Sequence, residues 1–159
     1  MMADQIVQSG RRFDSLEQEA YLSLWRTYDR LKAIEESFFQ KWNLTPQQYN
    51  VLRILLGSES PLPTLAIATK LVSRAPDITR MLDKLEQEKW ISRSRSSEDR
   101  RAVMVSITAE GRKRVSDMSD SLEEMHREQL GHLGGNDLRS LVELLAKVRQ
   151  PFEPLGSSW

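Results

Sequence analysis

The sequence predicts a mainly α fold with a small β component (α+β), and three observations predict it. Stretches near both ends repeat apolar residues every three or four positions, the pattern of amphipathic helices. Between them, two short helical patterns stand in tandem. Two short alternating runs then flank a tip at residues 96–100 ending in arginine, as in a β-hairpin with a two-stranded wing. A helix pair followed by a basic hairpin can lay one helix in a DNA groove and set a charged loop beside it.

Each element rests on a local signal. Residues 1–12 read as a flexible arm. A helix is expected over about 15–42, where Leu16, Ala20, Leu24, Tyr28, Leu31, Ile34 and Phe38 form one stripe that Trp25 and Phe39 widen. Seven turns are too long to pack only on a small lobe, and a partner chain is one explanation. Thr45 is an N-cap, with Pro46 at the first helical position, Gln48 completing a capping box, and Leu44 and Tyr49 as a hydrophobic staple. That second helix runs to about 56 and buries Tyr49, Leu52 and Leu55. After a loop at 57–61, a short third helix over about 64–71 turns Ile67, Ala68 and Leu71 inward. A fourth spans about 75–89, tolerating Pro76 in its first turn and burying Ile78, Leu82 and Leu85 beside Met81. Strands are expected at 90–94 and 102–107. Thr108 caps a fifth helix with Glu110 near its positive end. Val115, Met118, Leu122, Met125 and Leu133 mark its apolar line, and Gly134-Gly135 end it. Asn136 caps a last helix to about 149, and Pro151 stops it.

Composition narrows the function classes. The chain of 159 residues has no net charge, which argues against a nonspecific nucleic-acid binder. Its charge is nevertheless polarised. Residues 70–101 carry nine basic against six acidic side chains, a +3 segment offset by −3 elsewhere. Cysteine is absent, excluding thiol redox sensing, disulfides and cysteine metal sites. No run is long and apolar enough to span a membrane, and the N-terminus has no secretory pattern, so cytoplasmic residence is expected. The two histidines, His126 and His132, are six apart and off a common helical face, so no metal site is expected. No Ser-His-Asp set or phosphate-cradling glycine loop suggests an enzyme, and no cofactor is implied.

The DNA-reading candidates follow from helical geometry. With Ile78, Leu82 and Leu85 inward, Arg80 and Lys84 turn outward together, four residues apart. Asp77 and Arg74 lie near the exposed N-terminal end, the part of a recognition helix that meets base edges. Arg80 suits a guanine, Thr79 a base or phosphate, and Arg74 and Lys84 phosphate. The alternative for Arg80 and Lys84 is a solvated face paired with Asp77, Asp83 or Glu88. Arg93 and Arg95 on the first strand are candidates for phosphate contact or for simple solubilising charge.

Four short motifs fall in register across this region: Asp77-Ile78-Thr79-Arg80, Leu82-Asp83-Lys84-Leu85-Glu86, Asp99-Arg100-Arg101 and Ile107-Thr108-Ala109-Glu110-Gly111. In order and spacing the chain resembles the MarR family of winged helix-turn-helix transcriptional regulators over roughly residues 12–150. The resemblance implies a winged helix-turn-helix over 44–108. It also implies a helical dimerisation body from 13–43 and 109–152. The regulator would be a homodimer on a palindromic, inverted-repeat operator, with repression the leading expectation over activation, its affinity for double-stranded DNA set by a small ligand. One of Arg100 and Arg101, by preference Arg101, would enter the minor groove, with Asp99 pairing an arginine to hold the wing. Two departures stand out. Pro63 replaces the usual hydroxyl cap of the third helix, and Lys89 replaces the usual C-cap glycine of the fourth. A small aromatic, acidic effector is further implied, and Trp25, Tyr28, Phe38 and Phe39 with Tyr49 and Arg53 could line its pocket; the alternative for these aromatics is plain core. The rival reading is a protein-interaction adaptor that keeps the scaffold without binding DNA; the basic wing and Arg80 favour DNA.

Overall fold

A computed structural model describes residues 13–155; the expected arm at 1–12 lies outside the described residues. The element order is α1 (Leu16–Lys41), α2 (Pro46–Leu56), β1 (Leu62–Pro63), α3 (Thr64–Lys70), α4 (Ile78–Gln87), β2 (Ile91–Arg95), β3 (Val103–Ile107), α5 (Ala109–Leu130) and α6 (Gly135–Arg149), followed by a 3-10 turn (Gln150–Phe152).

Local chemistry starts α1, α2 and α5 where the sequence places them. The Ser15 and Thr45 side chains accept from the backbone N–H groups of Gln18 and Gln48, and Gln48 returns a bond to the Thr45 N–H, a complete capping box. Thr108 caps α5 by accepting from Gly111 N–H. Helix ends are less faithful. The last turn of α5 closes at Gly131, ahead of Gly134-Gly135, and Gly134 rather than Asn136 takes the N-cap of α6. The fourth helix begins at Ile78, three residues later than expected, leaving Arg74, Ala75, Pro76 and Asp77 in an extended turn. That turn is held by α2: Gln47 Nε2 donates to Ser73 Oγ and to the Arg74 carbonyl, and Asn50 Oδ1 accepts from Val72 N–H. These tertiary bonds satisfy backbone groups that another helical turn would otherwise occupy.

The sheet is antiparallel and ordered β1-β3-β2, three strands rather than the two read from the sequence. Two residues are too short for a periodic signal, and Pro63 argues against a strand on sequence grounds alone. β1 pairs Leu62 with Val105 and Pro63 with Met104, and β2 pairs with β3 from Ile91–Ile107 to Arg95–Val103.

The core gathers around α2. Val51, Leu52 and Leu55 meet Ile67, Leu82, Leu85, Ile91 and Val105 from the lobe, Phe39 from the end of α1, and Val115 and Met118 from the start of α5. Leu44 and Tyr49, the expected staple, are both buried in this cluster. Ala68, expected inward, is exposed, because the seven-residue α3 presents only Ile67 fully to the core. Away from the lobe the helices are bare. Leu16, Tyr21, Leu24, Trp25 and Tyr28 on α1, and Val142, Leu144 and Val148 on α6, are exposed. Among the described residues these apolar side chains are left uncovered. No helix among the described residues is long and apolar enough to cross a membrane.

Candidate nucleic-acid interface

The inward stripe of α4 is realised: Leu82 and Leu85 are buried, with Ile78 and Met81 half-buried. This turns Thr79, Arg80 and Lys84 to solvent. The Arg80 side chain is 87% exposed, and its nearest carboxylate, Asp77, lies 3.8 Å away, a loose pair across one turn. Such an exposed contact is worth little and releases the guanidinium to another partner. Asp77, Arg80 and Lys84 line a groove of about 580 Å³ with Gln47, Pro76 and Gln87. Arg74 sits in the preceding turn rather than on the helix, its carbonyl held by Gln47 and its side chain exposed.

Among the wing arginines the structure separates two kinds. Arg93 is engaged by α4: its Nε donates to Glu86 Oε2 at 2.8 Å, and its Nη2 to Asp83 Oδ1 at 2.6 Å and Glu86 Oε2 at 2.5 Å. These bonds, that to Glu86 foremost, raise the guanidinium pKa further, with burial opposing. Arg93 thus ties β2 to α4, with its Nε and Nη2 facing protein. Arg95 is also used internally, its Nη1 donating to the Arg100 carbonyl at 3.1 Å. Arg100 and Arg101 stand exposed at the tip.

The tip is braced by short polar contacts. Ser96 Oγ accepts from the N–H groups of Glu98 and Asp99, and Asp99 Oδ1 accepts from the Arg101 N–H at 2.9 Å. The Ala102 N–H closes on the Asp99 carbonyl. The bond of Asp99 is to a backbone amide of the tip and not to the arginine guanidinium expected of it. An aspartate two residues before an amide makes this local turn bond without ordering a long side chain.

The aromatic residues expected in one effector pocket are dispersed. Tyr28 and Phe39 line a cleft of about 810 Å³ that also meets Lys32, Glu35, Ser73 and Lys84. Phe38 faces a separate cleft between α1 and α5, beside Trp42 and Met125. Trp25 is exposed near Tyr21, with ring centroids 6.3 Å apart. Tyr49 is core, its ring 5.3 Å from Phe39; burial raises its hydroxyl pKa, against the charge and hydrogen bond of Arg53. Helical spacing could not assign these faces, because the neighbours that separate them come from α5 and the turn after α3. The polar residues Lys32, Glu35 and Ser73 were missed for the same reason.

Comparison with known proteins agrees with this architecture. Residues 44–103 match the MarR family model. The chain is 31% identical over 118 residues to the HTH-type transcriptional regulator MgrA of Staphylococcus aureus, spanning 72% of this chain and 76% of that protein. It is similar to the crystal structure of a MarR transcription factor from Planctomyces limnophilus, with 47% identity, TM-score 0.68, and coverage of 84% of this chain and 98% of the other. It is also similar to BpsR of Bordetella bronchiseptica, described for regulation of its DNA binding by 6-hydroxynicotinic acid, with 25% identity, TM-score 0.76, and coverage of 87% and 97%. With an exposed basic helix face, a braced basic wing and identity sustained over three quarters of a named regulator, the chain belongs to the MarR family of winged helix-turn-helix transcriptional regulators.

Proposed function

We propose that the chain binds a palindromic operator as a homodimer and represses transcription until a small ligand intervenes. The observation that carries the reading is the contrast in arginine use. Arg93 is committed to Asp83 and Glu86, while Arg80, Arg95, Arg100 and Arg101 stand exposed on α4 and the wing. Arg80 and Thr79 read bases in the major groove, Arg101 enters the minor groove, and Lys84 and Arg74 contact phosphates.

The dimer reading, with residues 13–43 and 109–152 as the body, is supported by the exposed apolar stripes of α1 and α6. Patches of this kind are uncommon on monomers and are covered when two copies pack. The effector reading is supported by the Tyr28–Phe39 cleft, where two aromatic rings stand with Lys84 and with Lys32, the latter paired to Glu36 at 3.4 Å, and with Glu35. Aromatic walls with a cation suit an aromatic carboxylate, and the BpsR comparison points to the same class of compound.

The test is binding of R80A and R101A to duplexes selected by the wild-type chain and to random duplex. R80A should lose specific affinity by about tenfold or more while random binding falls little, because a bidentate guanine contact discriminates by about 1–3 kcal/mol. Equal losses on both duplexes remove Arg80 from base reading. R101A should weaken selected-site binding with the sedimenting species still a dimer; dissociation instead overturns the wing assignment.

A further inference from the structure

The guanidinium of Arg114, on the second turn of α5, is sandwiched between two tryptophans from distant parts of the chain. Its Cζ lies 5.6 Å from the ring centroid of Trp42 and 4.8 Å from that of Trp90. Its Nη2 donates to the Trp42 carbonyl, while its Nε is buried with no hydrogen-bond partner. We propose that Arg114 is a positioning residue for operator reading: the Trp42–Arg114–Trp90 clamp sets the angle at which the winged lobe stands off the helical body. The proposal rests on the dimeric operator reading above.

One tryptophan stands at the entrance to that lobe and the other within it. Trp42 lies in the turn by which the chain leaves α1 and enters α2, next to Asn43 in the left-handed conformation at φ 52°. Trp90 joins the end of the recognition helix α4 to wing strand β2, next to Lys89 at φ 62°. The Trp90 carbonyl also accepts from Thr108 N–H at the foot of α5, where Gly111 packs so close that an added Cβ would lie 2.2 Å from that oxygen. One side chain on the helix leaving the lobe therefore grips both the entrance turn and the turn between the recognition helix and the wing.

The choice of arginine is informative. Burying a polar donor unpaired is costly, and an apolar side chain of similar length would fill the same space without that penalty. What a methionine cannot do is hold two indole faces at a fixed separation through a planar cation. The feature is thus better suited to fixing geometry than to raising stability. In a two-fold dimer a fixed lobe angle becomes a fixed distance between two recognition helices, since successive half-sites repeat about every 10 base pairs.

The test uses the full chain with R114M and R114K. Duplexes selected by the wild-type protein from a random pool are resynthesised with the half-sites one base pair closer or farther apart, a shift of about 3.4 Å and a tenth of a turn. Wild type should prefer its own spacing by about tenfold, and R114M should reduce that preference to about threefold or less, with the dimer retained and its unfolding midpoint little changed. In the free protein, amide exchange should quicken at 42–44 and 90–92 and stay unchanged at Leu52 and Leu85. If R114M does not fold, R114K, which keeps the charge but lacks the planar fork, should show the same loss of spacing preference. An unaltered spacing preference, or a fall in unfolding midpoint with no change in preference, overturns the proposal. Should wild type itself show no spacing preference, the inverted-repeat reading fails. Amide exchange then decides the clamp alone, and unchanged exchange at both turns refutes it.

Discussion

Replacing Arg93 with methionine separates a brace from a DNA contact. In the structure Arg93 makes three charge-assisted hydrogen bonds of 2.5–2.8 Å to Asp83 and Glu86, and its side chain is 23% exposed, against 57% and 40% for the two carboxylates. Hydrogen bonds to charged groups contribute about 1.5–3 kcal/mol when well buried, whereas exposed ion pairs contribute about 0–1 kcal/mol. The half-exposed carboxylates place this network between those limits, at about 1–2 kcal/mol, since both can be rehydrated when the guanidinium is lost. Methionine retains most of the apolar stem, so little of the loss is packing. For a chain of this size that corresponds to a fall of about 3–6 °C in thermal midpoint, measured at fixed protein concentration. On selected duplex, the slope of log K against log salt should match wild type, because a side chain used as a brace neutralises no phosphate. Removing a true phosphate contact instead lowers the slope by about 0.9. A slope reduced by that amount, with stability unchanged, would refute the assignment of Arg93 as a brace.

Three further predictions follow from backbone and burial. Lys89 holds a left-handed φ of 62°, so K89G should stabilise the chain by about 1 kcal/mol in urea unfolding, the usual strain of a side chain in that region. Gly111 has the opposite sensitivity: a Cβ there would meet the Trp90 carbonyl oxygen at 2.2 Å and Ile107 Cγ1 at 2.9 Å. G111A should therefore cost about 3 kcal/mol and lower the urea midpoint accordingly. Burial raises the Glu35 carboxyl above its ordinary value near 4.5, with His126 opposing. The folded state then holds this proton more tightly than the unfolded state, so its contribution is complete below the unfolded pKa and is lost as pH rises through the raised folded value. E35Q should gain stability relative to wild type across that window and stay level above it, as read by urea midpoints from pH 4 to 8.

Much of the interface was legible because its signals are short. The Leu82–Leu85 stripe places Arg80 and Lys84 outward by helical arithmetic alone, and the Asp99-Arg100-Arg101 tip declares a charged turn between two strands. The effector candidates were not legible in the same way. A stripe of aromatics on one helix states that a face is apolar. It cannot state that Phe38 meets α5 while Tyr28 borders a cleft.

Taken by itself, the chain's order of residues determined the starts of α1, α2 and α5, the inward stripe of α4 and the outward turn of Arg80 and Lys84. Those features depend on groups three or four positions apart, as in the Thr45–Gln48 capping box and the Thr108–Gly111 cap. Only the tertiary structure decided which arginines are engaged by groups far away in the chain. Arg93 found its carboxylates seven and ten residues away, and Arg114 found the Trp42 carbonyl 72 residues away. It likewise gave Leu62 its strand partner, Val105. A side chain's local pattern states what it can bond, but the choice among partners waits on which of them the packed core brings within about 3 Å.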